Sequence, residues 1–525
     1  MKVTLICPRF VANYWSYESS LRLAGKSCLL PPLGLITVAS LLPAHWRPRL
    51  KDLNIESVSD RDLLGSDVVM LTGMHVQRDS LHEVLRRCRA LGVPTVVGGP
   101  YATGEPHKLE GEADYLVLGE AEETLAPFCS AFETGCAPKV TPKASAPDLR
   151  RSPPPRYDLL RPGFYYHMSL QFSRGCPFTC EFCDIPGLLG RNPRTKDPEQ
   201  VVNELDAIRA TGFRGMVFFV EDNFIGKKKS VRELLPFVER WQRDRGWPFE
   251  FYTEASLNLA EDSALMEGMA AAGFRMVFVG LESVSPESIK ETKKNQNLTG
   301  DMLSRVHTIL GHGLEVLGGF IVGFDSDGPD IFERQVEFIQ KAGIPTAMLG
   351  VLQALPNTPL ETRMRAEGRL QDMPRPQDQF GRANFRTVLP APVLLAGYRR
   401  ALEALYEPRA YFARVREMLR LRRRLPQIRR TGPMMAVWAL RAVLAQGLLA
   451  PYRRDYWRYL RDVWRWDRTR LVDAIRHAAP GHHFLLFTKK VVGPRLEAAL
   501  EGVPGAKEAP PQLGAARGKS LPANT

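Results

Sequence analysis

Gln171-Phe172-Ser173-Arg174-Gly175-Cys176-Pro177-Phe178-Thr179-Cys180-Glu181-Phe182-Cys183-Asp184 places three cysteines at C-x3-C-x2-C spacing inside one loop. Thiolates this close in sequence converge on one metal centre. Iron–sulfur clusters are held by cysteine thiolates, normally four. A set of three leaves one iron open, and an open coordination position is where substrate chemistry takes place. The competing reading is a structural zinc loop. Zinc needs a fourth ligand at finger spacing, and no later Cys or His cluster supplies one. The nearest candidate, His167, lies upstream, in what reads as the preceding strand.

Downstream of the loop, strands alternate with helices. Tyr165 to Phe172 leads into the cysteines. Further strands are expected at 215–220, 249–253, 276–280, 316–322 and 347–354. Six βα units make a partial barrel, whose catalytic face is the carboxyl end of its strands. The loop follows the first of these strands, so a cluster there lies on that face. Glu221, Asp222, Glu254 and Glu282 all fall at the same rim. Each one singly also reads as a salt-bridged or solvated loop acid.

Upstream, strands are expected at 2–8, 49–53, 67–73, 94–99 and 115–119, with helices at 35–42 and 80–91. Asp67 to Gly73 is almost wholly apolar at its core, as parallel strands covered on both faces are. This alternation implies a doubly wound, flavodoxin-like (Rossmann-type) α/β sheet, whose ligands sit at the strands' carboxyl ends. Those ends carry Gly73, Met74, His75 and Gln77, then Gly98 and Gly99, then Gly119 and Glu120. Glycines there permit close approach of a large flat ligand. No G-x-G-x-x-G follows the first strand, which argues against a dinucleotide.

A length of 525 residues implies three or four domains, and 44% hydrophobic with 25% charged residues excludes a disordered chain. Eight cysteines are too few for a disulfide framework, and Cys7, Cys28, Cys88, Cys129 and Cys136 show no metal or redox spacing. They read as reduced thiols of a cytoplasmic protein. The N-terminus is too strand-like for a signal peptide, and no run of about 18 apolar residues reads as a spanning helix. The net charge of +13 would suggest nucleic acid, but the excess lies beyond residue 410, densest at Arg422-Arg423-Arg424 and Arg429-Arg430. It belongs to the tail, so no nucleic acid is expected at the cysteine region.

The tail reads as mainly helical. Tyr452 to Trp466 interleaves Tyr452, Tyr456, Trp457, Tyr459, Trp464 and Trp466 with Arg453, Arg454, Arg458, Arg461 and Arg465. Three readings are open: a nucleic-acid surface, a helix lying on a membrane surface, or a helical cap whose aromatics pack on the barrel. The expected organisation is an N-terminal domain at 1–142, an extended exposed linker at 143–164, the partial barrel at 165–390, helices at 391–500 and a disordered tail at 501–525.

The cysteine spacing, with Phe182 just before the last cysteine, resembles the radical S-adenosylmethionine (SAM) superfamily signature. A flavodoxin-like domain ahead of it, with Leu30-Pro31-Pro32-Leu33-Gly34-Leu35, is similar to the cobalamin-binding radical SAM enzymes of the class B methyltransferase type. Pro100-Tyr101, Cys176 to Asp184, residues 190–194, Glu221 to Ile225 and 352–356 resemble the subgroup that includes the hopanoid C-2 methylases. The resemblance implies a 4Fe-4S cluster on Cys176, Cys180 and Cys183. It implies SAM against Phe182, Glu221, Asp222, Glu254, Glu282, Gly319, Ile321 and Gly323. It implies cobalamin against Gly73, Met74, His75, Gln77, Gly98, Gly99, Gly119 and Glu120. Two departures stand out: the family's Gly-Gly-Glu is missing at Glu221-Asp222, and no D-x-H-x-x-G motif supplies an axial histidine.

The activity implied is methylation of an unactivated carbon of an apolar, hopanoid- or other lipid-like or secondary-metabolite, substrate. It proceeds through a 5′-deoxyadenosyl radical and methylcobalamin, with an external one-electron donor such as flavodoxin or ferredoxin. The expected setting is the cytoplasm, with peripheral contact at the inner face of the membrane through the C-terminal helices. Three rivals remain: a cobalamin-binding radical SAM cyclase or ring-contraction enzyme, a methylthiotransferase, and a non-enzymatic cobalamin or redox sensor. The methylthiotransferase reading needs a second cysteine triplet in the N-terminal domain, where the cysteines are scattered.

Overall fold

A computed structural model describes residues 1–372, 380–426 and 433–501. The N-terminal sheet is six-stranded and wholly parallel, in the order β2-β1-β3-β4-β5-β6. Its strands are β1 (Lys2–Cys7), β2 (Arg47–Asp52), β3 (Val68–Thr72), β4 (Thr95–Gly98), β5 (Tyr115–Val117) and β6 (Val140–Thr141). β1 and β3 are buried along almost their whole length because helices cover both faces. The helix Arg78–Leu91 turns Leu81, Val84, Leu85 and Cys88 inward at helical spacing. Five of these strands fall where the sequence pattern expects them. β6, two residues long, carries no apolar run and was not expected.

The central domain is a second six-stranded parallel sheet, curled into a half-barrel in the order β14-β13-β12-β11-β10-β7. Its strands are β7 (His167–Leu170), β10 (Gly215–Phe219), β11 (Phe249–Ala255), β12 (Phe274–Glu282), β13 (Glu315–Val322) and β14 (Ala347–Val351). The short antiparallel ribbon β8 (Ser173–Arg174) with β9 (Arg194–Thr195) frames the cysteine loop. All six expected barrel strands are present.

The segment between the domains is exposed and without regular structure at 143–146, as its composition predicts, but not along the rest of its length. It forms short turns that bury Leu149, Tyr157 and Leu160, and the Tyr157 hydroxyl donates to the Ser169 carbonyl at 2.9 Å. The prolines stiffen a strap that is fastened to the barrel rather than free of it.

The C-terminal region is helical, with helices Ala391–Leu405, Pro408–Leu421, Pro433–Leu444, Arg453–Asp467 and Leu471–Phe487. They pack against the barrel and also against residues 13–23. Tyr14, from the N-terminal domain by sequence, is fully buried among Phe380, Tyr406, Phe484 and Phe487, and its hydroxyl meets Thr488 Oγ1 at 2.6 Å. The two ends of the chain are thereby joined over the barrel. Arg429 and Arg430, and the tail beyond Glu501 expected to be disordered, lie outside the described residues.

Candidate active site

The two sheets present the carboxyl ends of their strands to one another. Met74, His75, Gly99, Gly119 and Glu120 from the N-terminal sheet share a cavity of about 1610 Å³ with Asp184, Asp222 and Glu254 from the barrel. Three contacts clamp the sheets over it. Arg174 and Arg194 donate to Glu120, Lys143 Nζ donates to the Gly187 and Leu188 carbonyls at 2.9 and 2.7 Å, and Asn357 Nδ2 donates to the Gly104 carbonyl at 3.0 Å.

Each of the four residues before Cys176 is held by an acid. The Phe172 and Ser173 amides donate to the two oxygens of Glu221 at 2.6 and 2.8 Å, and the Ser173 hydroxyl donates to it as well. Arg174 pairs with Glu120 and Glu122 at 2.8 Å. The Gly175 amide donates to Asp222 Oδ2 at 2.7 Å. Gly175 has φ +97, and a Cβ on it would stand 2.9 Å from the Gly190 carbonyl oxygen, so the entry to the cysteines tolerates only glycine. Burial pushes Glu221 up to about 8 against the pull of its three hydrogen bonds. Of the rim acids expected to meet SAM, Glu221 is therefore turned onto the loop and braces it.

Burial raises all three loop thiols, Cys183 to about 12, and their charges act on one another. Lys294 opposes this at Cys180, as does Gln296, whose Nε2 lies 3.8 Å from the Cys180 sulfur. Lys294 is itself buried, ion-paired with Glu282, and 5.9 Å over the Phe182 ring. Glu282 reaches it from a β-bulge at Gly280–Glu282 in the β12–β13 ladder, with φ +62. A non-glycine residue in that region stores strain of about 1–3 kcal/mol and persists where its surroundings over-determine it. Gly319 leaves room for Phe278, whose ring a Cβ would meet at 2.8 Å, and Gly323 has φ +101 with its amide on Asp327. Ile321 packs at the edge of the core beside them.

Glu254 stands apart. It faces the cavity, has no hydrogen-bond or ion-pair partner among the described residues, and burial followed by the Asp222 charge pushes it up to about 7. An unpaired carboxyl in a desolvated cleft is a candidate functional group.

On the opposite face, Met74 projects its side chain at 46% exposure. His75 beside it has both ring nitrogens engaged, Nδ1 with Glu105 at 2.9 Å and Nε2 with Arg78 at 2.6 Å. Gln77 is buried and braces this loop, accepting from the Met74 amide and donating to the Pro8 carbonyl. Gly73 and Gly98 are not among the residues that line the cavity. Gly99, at φ +85, packs directly against the Thr72 hydroxyl, where no side chain fits.

The cavity wall is mostly apolar. Phe218 stacks on Tyr252 at 4.4 Å, and Trp15 meets Phe278 edge-on at 5.4 Å. At the amino ends of the barrel strands the wall becomes charged. Glu315 accepts from Arg422 at 3.4 Å and lies 3.3 Å from His477 Nδ1, while Arg476 pairs with Glu250. Trp15, Lys294, Arg476 and His477 escaped the sequence reading, and Arg422 entered it only as part of the basic tail. Except for Lys294, which pairs with Glu282 twelve residues away, their partners lie far away in the chain, and no spacing signals them.

The donor set fits an iron–sulfur cluster: three sulfur ligands on one braced loop. Gly99 and Gly119 line the cavity on the side of the N-terminal sheet, and a side chain at either would run into Thr72 or Lys143, so backbone is what faces a ligand there.

A model of the radical SAM superfamily matches residues 170–339, and one described as a domain of unknown function (DUF4070) matches residues 358–495. The uncharacterised methyltransferase sll1242 of Synechocystis sp. is 39% identical over 498 residues, covering 94% of this chain and 92% of that protein. Hopanoid C-2 methylase of Rhodopseudomonas palustris is 33% identical over 503 residues, covering 93% of this chain and 94% of that protein. Among solved structures, the radical S-adenosylmethionine methyltransferase TsrM of Kitasatospora setae, with cobalamin and a [4Fe-4S] cluster bound, has the same fold. Its TM-score is 0.61 at 16% identity, over 91% of this chain and 99% of that one.

Proposed function

The chain belongs to the radical SAM superfamily, among the relatives that include hopanoid C-2 methylase, and from that premise we propose that it is a cobalamin-dependent methyltransferase acting on an unactivated carbon. One observation carries the reading: Asp184 at the end of the cysteine loop, the rim acids Asp222 and Glu254 and the carboxyl ends of the N-terminal sheet line a single cavity, and Arg174 in that loop is clamped to Glu120 across it. A cluster and a corrin in those two positions share one reaction space. When bound, the cluster with SAM supplies a hydrogen-abstracting radical, and cobalamin supplies the methyl group.

In this reading Cys176, Cys180 and Cys183 hold the cluster, and Lys294 offsets its negative charge beside Cys180. Asp222 and Glu254 face the positively charged end of SAM, while Gly319, Ile321, Gly323 and Phe182 shape the bed for its adenosine. Glu221 and Glu282 keep that bed in register. Met74, Gly99 and Gly119 would hold the corrin, while both ring nitrogens of His75 are engaged by Glu105 and Arg78. The aromatic wall excludes water from the reacting centre. The substrate has an apolar body, matched to Trp15, Phe218, Tyr252 and Phe278, and a polar end matched to Glu315, Arg422, Arg476 and His477. A hopanoid or another cyclic lipid has that form. A low-potential donor such as flavodoxin or ferredoxin and a reducing cytoplasmic setting complete the requirement.

The test is anaerobic reconstitution with iron, sulfide and cobalamin, followed by SAM, reductant and an apolar lipid extract. Methyl transfer yields 5′-deoxyadenosine and S-adenosylhomocysteine together, with a product heavier by one methylene. A cyclised product without S-adenosylhomocysteine would instead identify a cyclase. Protein that binds no corrin would remove the cobalamin assignment.

A further inference from the structure

The helix Pro433–Leu444 continues through a wide-pitched turn to Leu449 and meets the helix Arg453–Asp467 across a short corner. Val437, Leu440, Leu444 and Leu448 follow one another at helical spacing and all face outward. The stripe spans about 16 Å at the rise of a helix. Leu440 and Leu448 are each 59% exposed, and Leu449 at the corner is 81% exposed. Such a row is costly in water unless something covers it.

The second helix sorts its aromatics. Tyr452, Tyr456 and Tyr459 are buried, with Phe412 stacked on Tyr459 at 4.9 Å. Trp457 and Trp464, seven residues apart and so on one face, are 47% and 54% exposed. Trp457 Nε1 donates to the Gly447 carbonyl at 2.8 Å, which joins the tryptophan face to the leucine stripe. Around this surface Arg441, Arg453, Arg454, Arg461 and Arg465 are exposed and form no ion pair among the described residues. The nearby acids are engaged elsewhere: Asp455 with Arg409 and Arg458, Asp462 with Arg416, and Asp467 with Thr469.

We propose that this helical corner docks on the surface of an anionic lipid bilayer, with the leucine stripe and the two tryptophans at the acyl boundary and the arginines among the phosphates. An amphipathic helix with aromatics below and arginines beside them has that physics. A nucleic acid would have no use for the leucine stripe, and a second copy of this chain would bring five more unpaired arginines into contact with these. No described helix is long and apolar enough to cross a membrane, so the contact is peripheral.

The position ties the surface to the cavity. The stripe-bearing helix turns Trp438 inward, where it lines the cavity together with Ala479 and Pro480. Docking therefore sets that wall of the cavity against the bilayer, so that an apolar substrate reaches it without crossing water. This last step rests on the substrate reading above; the docking itself does not.

The experiment is flotation of the full-length, cluster-loaded protein with vesicles of phosphatidylcholine alone or mixed with phosphatidylglycerol. Binding to the anionic vesicles is expected to be about tenfold tighter or more, and to weaken with salt. The triple variant Leu440→Glu, Leu444→Glu, Leu448→Glu should stay in the soluble fraction while keeping its iron–sulfur absorbance. Should that variant fail to fold, Trp464→Ala gives the same test, with vesicle affinity reduced and quenching by brominated lipid diminished. Four results would overturn the proposal: no flotation, flotation unchanged in the variants, burial of the stripe in a concentration-dependent dimer, or binding to RNA that anionic vesicles fail to displace. Each is independent of whether methyl transfer occurs.

Discussion

Arg174, two residues before Cys176, donates from Nη1 to Glu120 Oε2 at 2.8 Å, and Glu120 accepts in turn from Arg194 Nη2 at 2.8 Å. One acid at the carboxyl end of β5 thus fixes the cysteine loop to the N-terminal sheet. Arg174 also pairs with Glu122, and all three side chains are nearly buried. Removing one member leaves uncompensated charge in low dielectric. Arg174→Gln is expected to lower the unfolding free energy by about 3 kcal/mol. Urea denaturation of the apo-protein checks the figure, and loosening of the two domains should appear as faster proteolysis in the strap at 143–164. Unchanged stability would mean that the pair is a rim contact with little coupling.

The cluster assignment separates the loop cysteines from the rest. Cys176→Ser, Cys180→Ser and Cys183→Ser should each reduce bound iron and visible absorbance to background, because no neighbouring thiol can substitute. Cys136→Ser, at an exposed position after the helix Ala121–Glu133, should leave iron content unchanged. Retention of a full cluster in any of the three loop variants would remove that cysteine from the ligand set.

Glu254 gives a pH dependence with a definite sign. Its carboxyl is pushed up to about 7 in the fold. In the unfolded chain a glutamate titrates at about 4.3. Between those values the native state keeps a proton that the unfolded state has released, so the stabilising contribution is complete below the unfolded value and is lost as pH rises through 7. The loss amounts to about 4 kcal/mol at most. Glu221, up to about 8, and Asp327, up to about 6, tilt the curve the same way. Glu254→Gln should therefore flatten only its own share. The comparison is the apo-protein and the variant unfolded in urea at acid and neutral pH. Parallel curves would show that Glu254 is solvated by the cavity.

Much of the architecture was legible in the sequence, and the reason is local. β3, β10 and β13 are short apolar runs whose burial on both faces needs no partner to be guessed. The cysteine loop was legible because its three ligands lie within eight residues. The functions of Glu221 and Gln77 were not, because what they hold is distant or invisible in a motif: Glu221 braces amides 48 and 49 residues away, and Gln77 a carbonyl 69 residues away. Both look like ligand contacts in one dimension and are internal braces in three. The tail shows the opposite failure. Its aromatics were read as one set, although the seven-residue spacing of Trp457 and Trp464 already separates them from the tyrosines at 452, 456 and 459.

The pairing of Glu282 with Lys294 can be broken without touching either residue. Gly280 lies beneath it, and a Cβ there would run into the Glu282 carboxylate and stand 2.6 Å from Lys294 Nζ. Gly280→Ala must push the pair apart, and the backbone has little slack, since Glu282 sits on the bulge at φ +62. Overpacking of this kind costs about 1–3 kcal/mol. The consequence should reach the loop, because Lys294 supplies the positive charge beside Cys180. A lower iron content after reconstitution is expected, together with the stability loss. Lys294→Gln should reproduce the iron defect, and the double variant should lose less than the two single changes added together, as coupled neighbours do. Strict additivity in denaturation and iron content would show that Gly280 acts on β12 alone and that the ion pair does not support the cluster.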